Sequence, residues 1–251
     1  LEDSEIIVVN DGSPDTEQEI IDQYVEHFPD KIVSFVKENG GLPHARNYGV
    51  ERSRGRYIGY VDSDDFVEPD MFEKLFEAAE SLNCDIAIGK YIHYGLDGRT
   101  SVNGKLPQPE GTVFPGYEFL LSQRSMVVWN KLYQRELVER FPQPITWFED
   151  VAWTPVVMTH ADRVCFVDEA FYHYVRREGS IASSHEDPRT LEGIQSLFYA
   201  IEHAAPEHRD AVEFMGVRRM LFESQVRPAY ADRYLATLSE LAPDLKDNKY
   251  L

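Results

Sequence analysis

Short apolar runs alternate with helical patterns through the first 94 residues, and this alternation constrains the fold more than any other feature of the sequence. The runs of strand length lie at residues 5–9, 32–36, 57–61 and 85–89. The helical patterns between them lie at residues 15–27, 42–52 and 69–82. Strands that alternate with helices in this way form right-handed βαβ units in a parallel sheet. The sequence therefore predicts an α/β fold, with a mostly parallel sheet flanked by helices.

The pattern changes after Tyr94. Residues 95–116 are rich in Gly and Pro, as in loops and hairpins. Further on, a helical pattern at residues 148–160 precedes two strand patterns, at 163–167 and 170–175. From Pro188 onward the chain is helical in character. We therefore predict an α/β domain in two parts, followed by a helical region. These three segments cover about residues 1–94, 95–185 and 186–251.

The chain is strongly acidic. It holds 44 Asp and Glu against 25 Lys and Arg, which gives a formal net charge of -19. Its first 30 residues contain ten acidic side chains and no Lys or Arg. A surface of this sign repels nucleic acid and anionic lipid headgroups, so we expect no nucleic-acid partner. A nucleotide diphosphate would bind only where a metal ion or a local basic cluster offsets the charge.

The sequence shows no sign of a membrane span or a signal peptide. No stretch approaches the run of about 20 apolar residues that a membrane helix needs, and the first residues carry no basic segment before an apolar one. Cys84 and Cys165 lie far apart, which fits a reducing compartment better than a disulfide framework. We therefore expect a cytoplasmic protein without a transmembrane segment.

The strongest chemical signal is Asp62-Ser63-Asp64-Asp65, which follows the third apolar run. Ligands of open α/β sheets bind at the carboxyl ends of the strands. Three carboxylates within four residues repel one another, and a divalent cation with a preference for oxygen ligands relieves that repulsion. An Asp before the helix at residue 69 would also serve as a helix cap. A cap needs one Asp rather than three, so we favour a site for Mn²⁺ or Mg²⁺.

Two further polar loops follow the first and second apolar runs. Residues 10–13, Asn-Asp-Gly-Ser, place an Asp where it can accept hydrogen bonds from a base or ribose, although the same residues also form an ordinary turn. Residues 37–41 end in two glycines before a helix that carries Arg46. Such a helix start favours anions, and the alternative is a plain loop and helix start with a surface arginine.

Two more polar segments lie in the second half of the chain. Residues 147–153 contain the pair Glu149-Asp150 at the start of a helical pattern. Acids at this place are also favoured by the helix dipole alone. Residues 172–181 contain Arg176 and Arg177, which could neutralise a diphosphate. His173 lies in the same segment and could join a metal shell, but a histidine in a strand is more often structural.

These segments, in this order and at similar spacing, resemble the family 2 glycosyltransferases, which have the GT-A fold. The resemblance covers about residues 4–180. It implies that Asp11 contacts the nucleoside, that Asp62 lies near the ribose, and that Asp64 ligates the metal. The residues implied around the nucleotide sugar are Asp11, Ser13, Asn39, Gly40, Arg46, Asp62, Asp64, Arg176, Arg177 and Ser180. The implied metal ligands are Asp62 and Asp64, with His173 as a weaker candidate.

The same resemblance implies the catalytic residues. Asp150 is the general base that deprotonates the acceptor hydroxyl, and Glu149 is its neighbour in the acidic pair. A single carboxylate within hydrogen-bond reach of that hydroxyl is sufficient for a direct displacement. The sequence departs from the family at its start, because the usual opening strand, which helps to hold the base, is not found.

The resemblance thus predicts an inverting, metal-dependent transfer of a hexose or N-acetylhexosamine from a UDP-sugar. The acceptor would be a carbohydrate or lipid-linked glycan, in bacterial surface polysaccharide or teichoic-acid synthesis, with peripheral contact at the inner face of the membrane possible. A different reading is a non-catalytic nucleotide-sugar-binding module of the same fold. A sugar-phosphate nucleotidyltransferase is a weaker alternative, because its Gly-rich phosphate loop is missing from the sequence.

Overall fold

A computed structural model describes residues 3–103, 109–122, 126–177, 186–243 and 245–250. The nine strands within these ranges are β1 (Ile6–Asn10), β2 (Ile32–Val36), β3 (Tyr57–Gly59), β4 (Phe66–Val67), β5 (Ile86–Tyr94), β6 (Thr100–Asn103), β7 (Val113–Phe114), β8 (Lys131–Gln134) and β9 (Val164–Val175). The α-helices are α1 (Glu17–His27), α2 (Leu42–Arg52), α3 (Met71–Leu82), α4 (Gly116–Ser122), α5 (Glu149–His160), α6 (Glu192–His203), α7 (Arg209–Val226) and α8 (Ala231–Leu241). None of these helices is both long enough and apolar enough to cross a membrane.

The strands form two sheets. β1 and β2 pair in parallel, with Ile6 opposite Ile32. The larger sheet has the order β3-β8-β5-β9-β4, with β6 beside β5 and β7 beside β9. The predicted α/β class, with flanking helices and a helical C-terminal part, is confirmed.

The larger sheet is mixed rather than mostly parallel, which corrects that part of the prediction. Only β5 and β9 pair in parallel among its described strands, and the other pairs are antiparallel. The reason is the position of β8, which runs antiparallel between β3 and β5. The βαβ unit of β3, α3 and β5 keeps its two strands parallel, but they are not neighbours. Periodicity predicts strands but not an insertion of this kind.

The two strand patterns at residues 163–167 and 170–175 are one continuous strand, β9. Its register against β5 shifts next to Gly89, between Ile88 and Lys90. A Cβ atom at Gly89 would lie 2.7 Å from the ring of Phe171, so a glycine is needed at this irregularity. A short bulge in the pairing with β5 therefore explains the gap between the two strand patterns, although β9 itself is continuous.

The helices cover the sheet through apolar faces of different width. α3 buries Met71, Leu75 and Ala79 along one stripe, as expected for an amphipathic helix. In α5, ten of twelve residues are buried, because the helix packs against α4 and α6 and joins the apolar core of the sheet. Residues of α6, α7 and α8 belong to that same core. The predicted boundary near residue 185 stays a prediction.

Candidate active site

The acidic loop between β3 and β4 is fixed to β9 by its last carboxylate. The Asp65 carboxylate accepts hydrogen bonds from the Tyr172 hydroxyl and from the Val175 N–H, both at 2.8 Å. The same Tyr172 oxygen accepts a bond from the Asp62 N–H at 3.0 Å. Burial raises the pKa of Asp65, and these two hydrogen bonds oppose the rise. Asp65 is therefore a structural member of the loop, which leaves Asp62 and Asp64 for a ligand.

Arg46 connects the acidic loop to the acidic pair of α5. Its guanidinium donates to the Asp62 and Glu149 carboxylates, each at 2.7 Å. The arginine is buried, and burial alone would lower its pKa, but the two carboxylates outweigh burial and raise it. Burial disfavours the charged form of Glu149 as well, which for a carboxyl raises the pKa, here to about 7. Arg46 opposes that rise. The predicted contact of Arg46 with a nucleotide stays a prediction, since its guanidinium here faces two carboxylates.

The two acids of the pair differ in their surroundings. Glu149 is only 8% exposed and is engaged by Arg46. Asp150 is partly exposed, and its Oδ1 accepts a bond from the Val151 N–H at 2.8 Å. That bond orients the carboxylate at the amino-terminal end of α5. Asp150 is thus the member of the pair that an incoming hydroxyl could reach.

The loops after β1 and β2 are held together through Asp11. Its carboxylate accepts the Gly41 N–H at 2.7 Å and the Gly40 N–H at 3.1 Å, and it pairs with Lys37. Gly12 has φ +75°, and a Cβ atom there would lie 2.9 Å from the Asn39 nitrogen. α2, which carries Arg46, begins directly after Gly41. The loop that binds the Asp11 carboxylate therefore continues into the helix whose arginine joins Asp62 to Glu149.

Three of the predicted donor contacts lie on these loops. Asn39 and Gly40 are exposed at the carboxyl end of β2. Ser13 is exposed after β1, and its N–H donates to the Asn10 side chain at 2.9 Å. A ligand could reach all three, and their predicted contacts with a nucleotide sugar stay predictions.

The arginines after β9 lie beside the acidic loop. Arg177 donates to the Asp64 carboxylate at 2.6 Å. The Arg176 N–H donates to the Tyr94 carbonyl at 3.1 Å, while its side-chain Nε is buried without a hydrogen-bond partner. Ser180, the last predicted donor contact, lies outside the described residues. The segment after β9 is therefore close to Asp64. The predicted contacts of both arginines with a diphosphate stay predictions.

His173 uses both ring nitrogens within the protein. Its Nε2 lies 2.8 Å from the Glu68 carboxylate, and its Nδ1 lies 3.0 Å from the Tyr94 hydroxyl. The ring also stacks on Phe66, with 4.2 Å between the ring centroids. These partners do not support the predicted metal role of His173 and assign it instead to packing between β4 and β9.

The chemistry of a divalent cation fits Asp64 and its neighbour Asp62. In the part of the chain that the structure describes, no group of three His, Cys, Asp or Glu residues could hold a metal. A nucleotide-bound Mg²⁺ or Mn²⁺ needs only one or two carboxylates besides phosphate oxygens. The Asp64 side chain is 30% exposed, and within the described residues its ion-pair partner is Arg177. The metal dependence stays a prediction.

Tyr172 is a site residue that the sequence does not reveal. It begins the polar segment at residues 172–181, but its position alone indicates no role. The structure shows that its hydroxyl links two residues of the acidic loop, Asp62 and Asp65. Alternation along β9 could have indicated that Tyr172 faces the interior, where a hydroxyl needs a partner.

Several known proteins are similar to this chain. Residues 1–141 match the family model described as Glycosyl transferase family 2. The uncharacterized glycosyltransferase EpsJ of Bacillus subtilis (strain 168) is 36% identical over 212 residues, which cover 80% of this chain and 60% of EpsJ. The minor teichoic acid biosynthesis protein GgaB of the same organism is 30% identical over 187 residues, which cover 72% of this chain and 21% of GgaB.

A solved structure shows the same fold. The crystal structure of S. aureus TarS 1-349 in complex with UDP-GlcNAc has a TM-score of 0.69 and 19% identity, and the match covers 98% of this chain and 80% of that one. At this identity the likeness concerns the fold alone. This chain spans 60% of the length of EpsJ, so the activity of a whole relative does not transfer directly to it.

Proposed function

Since the chain belongs to glycosyl transferase family 2, we propose that it carries the catalytic site of an inverting transferase. The reaction moves a hexose or N-acetylhexosamine from a UDP-sugar to an acceptor hydroxyl. One observation carries the proposal: Arg46 joins the acidic loop at Asp62 to the acidic pair at Glu149, next to an accessible Asp150. Groups suited to a donor diphosphate and to an acceptor hydroxyl are thus linked in one site.

The reaction is a single displacement. Asp150 takes the proton of the acceptor hydroxyl, and the resulting oxygen nucleophile bonds to the anomeric carbon. The bond from that carbon to the diphosphate oxygen breaks, and UDP leaves with the electron pair. Attack on the face opposite to UDP inverts the anomeric centre. A cation held by Asp64 and Asp62 would supply charge stabilisation to the departing diphosphate.

The relatives support the choice of donor and acceptor without deciding it. TarS was crystallised with UDP-GlcNAc, which makes a UDP-sugar the first donor to test. GgaB takes part in minor teichoic acid biosynthesis, which agrees with a carbohydrate or lipid-linked glycan acceptor in surface polymer synthesis. We propose action in the cytoplasm, with peripheral contact at the inner face of the membrane.

A donor screen tests the proposal. Calorimetry with Mn²⁺ would compare UDP-glucose, UDP-galactose and their N-acetylated counterparts. UDP release would then be measured with and without glycan acceptors. We expect micromolar to millimolar binding of at least one donor, with acceptor-dependent release. Binding without turnover would favour the non-catalytic module instead, and no binding of any donor would contradict both readings.

The metal proposal predicts that UDP binds at least about tenfold more weakly in EDTA than in Mn²⁺. The reason is that Asp62 and Asp64 add negative charge beside the diphosphate unless a cation offsets it. Calorimetric titration of UDP under the two conditions measures the difference. The Asp64→Asn variant is the control, because it should lose most of the gain from Mn²⁺. Equal affinity in both conditions would refute the metal site.

The Arg177→Ala variant is expected to weaken UDP binding about tenfold, which corresponds to about 1.4 kcal/mol. In the proposed complex, Arg177 exchanges its bond with Asp64 for a charge-assisted bond to the diphosphate. Arg99→Ala provides the control, because Arg99 pairs with an exposed Asp97 in a turn. Unchanged UDP affinity in the Arg177 variant would mean that this arginine only balances the acidic loop.

A further inference from the structure

The loop that leads into the acidic pair, residues 145–148, is bound by the first residue of α6. One oxygen of the Glu192 carboxylate, Oε2, accepts three hydrogen bonds from this loop. The donors are the N–H of Thr146 at 3.0 Å, the hydroxyl of Thr146 at 3.2 Å and the N–H of Trp147 at 3.0 Å. The loop backbone is therefore anchored to a helix that follows it by more than 40 residues.

The last residue of the loop, Phe148, has a backbone conformation that needs support. It lies in the left-handed region, with φ 62° and ψ 31°. This conformation costs about 1–3 kcal/mol for a residue other than glycine, so surrounding contacts must maintain it. Phe148 is also the N-terminal cap of α5. Its backbone conformation therefore determines the position of Glu149 and Asp150 in the first turn of the helix.

The C-terminal helices supply that support. The Phe148 ring lies over Gly193, where a Cβ atom would be 3.4 Å from the ring. The guanidinium groups of Arg219 and Arg227 lie 5.7 Å and 5.4 Å from the ring centroid. Both arginines pair with Glu223, which is 3% exposed. The ring is thus enclosed by a glycine from α6 and two cations whose charge is partly compensated.

We propose that Glu192 and Phe148 are positioning residues for Asp150, so that the C-terminal helices form part of the active site. This inference rests on the proposed function, in which Asp150 is the base. A base acts only within hydrogen-bond reach of the acceptor hydroxyl, and an error of about 1 Å in position can cost about 100-fold in rate. The contacts of Glu192 and Phe148 prevent such an error by fixing the loop and the first turn of α5.

The test compares three variants of the whole chain. Glu192→Ala removes the acceptor of three hydrogen bonds. Glu192→Gln keeps one side-chain oxygen that can accept all three, so it should restore the loop without the charge. Glu202→Ala removes a carboxylate from an exposed position of the same helix and is the matched control. Thermal unfolding and circular dichroism establish that each variant is folded.

Two measurements separate a positioning role from a general loss of stability. Amide hydrogen exchange of a peptide covering residues 145–150 should rise at least about tenfold in Glu192→Ala, and little in the other two variants. In the same variant, kcat for UDP release from UDP-GlcNAc with a glycan acceptor should fall about tenfold. The Kd for UDP should stay within about twofold, because the donor groups are on other segments.

The outcomes distinguish the inference from the proposed function. Unchanged exchange in Glu192→Ala would overturn the positioning role, whatever the turnover. Faster exchange with a kcat equal to that of Glu202→Ala would overturn it as well, because the loop would then not determine the rate. Full turnover in Asp150→Asn would instead overturn Asp150 as the base, while the exchange data would still decide whether Glu192 holds the loop.

Discussion

The Asp150→Asn variant is expected to lose at least about 100-fold in turnover, while its affinity for UDP stays within about twofold. The amide keeps the shape of the side chain and can still accept the Val151 N–H. It cannot take a proton from the acceptor hydroxyl, so only the chemical step becomes slower. UDP release in the presence of acceptor gives kcat, and calorimetry gives the affinity for UDP.

Asp162→Asn is the matched control for this experiment. Asp162 is an exposed aspartate just beyond α5, so it undergoes the same chemical change close to the same helix. Its turnover should match that of the unmodified protein. An Asp150→Asn variant that retained most of its turnover would show that the acidic pair only begins α5, and another group would have to be the base.

Replacing Arg46 by Met is expected to lower the free energy of unfolding by about 3–5 kcal/mol, which is typical when one partner of a buried ion pair is removed. The Met side chain fills similar space but leaves Glu149 and Asp62 without their cation. Urea unfolding followed by tryptophan fluorescence measures the change. Arg54→Met is the control, because that side chain is 83% exposed and its ion pair should contribute at most about 1 kcal/mol.

The loss in Arg46→Met should depend on pH. Burial raises the pKa of Glu149 from 4.5 to about 7, and removal of Arg46 takes away the cation that opposes this rise. A carboxyl whose pKa is raised on folding costs stability as the pH rises from its unfolded value to its folded value. Loss of Arg46 moves the folded value further up, so the additional cost appears only above about pH 7. The Met variant should therefore be less destabilised at pH 6 than at pH 8. A pH-independent loss, or one that Glu149→Gln does not relieve, would contradict the role assigned to this ion pair.

The order of strands and helices could be predicted from the sequence, but the direction of each neighbouring strand could not. Local periodicity reports whether a segment is a helix or a strand, and the first three βα units follow it closely. The neighbours of β5 are decided by segments far along the chain, since β8 and β9 lie on either side of it. No local pattern encodes which distant strand inserts between β3 and β5.

The same distinction between local patterns and long-range contacts applies to the candidate site. The acidic loop and the acidic pair were visible because like charges cluster in short segments. The partners of these acids were not, because Arg46 and Glu149 are 103 residues apart in sequence and Thr146 and Glu192 are 46 apart. The three aspartates of the loop also looked alike, and only their hydrogen bonds separate the structural Asp65 from Asp62 and Asp64.

The place of β8 in the sheet also governs how the chain can acquire its structure during synthesis. When the ribosome has released β5, the strand that must separate it from β3 does not yet exist. The central sheet becomes continuous only after β8 has emerged, and β5 gains its parallel partner only with β9. Such long-range pairings form only after distant parts of the chain have come together. They therefore make folding slower. β3 and β5 therefore cannot reach their final neighbours ahead of the rest of the chain, and a nascent chain must keep them from pairing with wrong edges until β8 arrives.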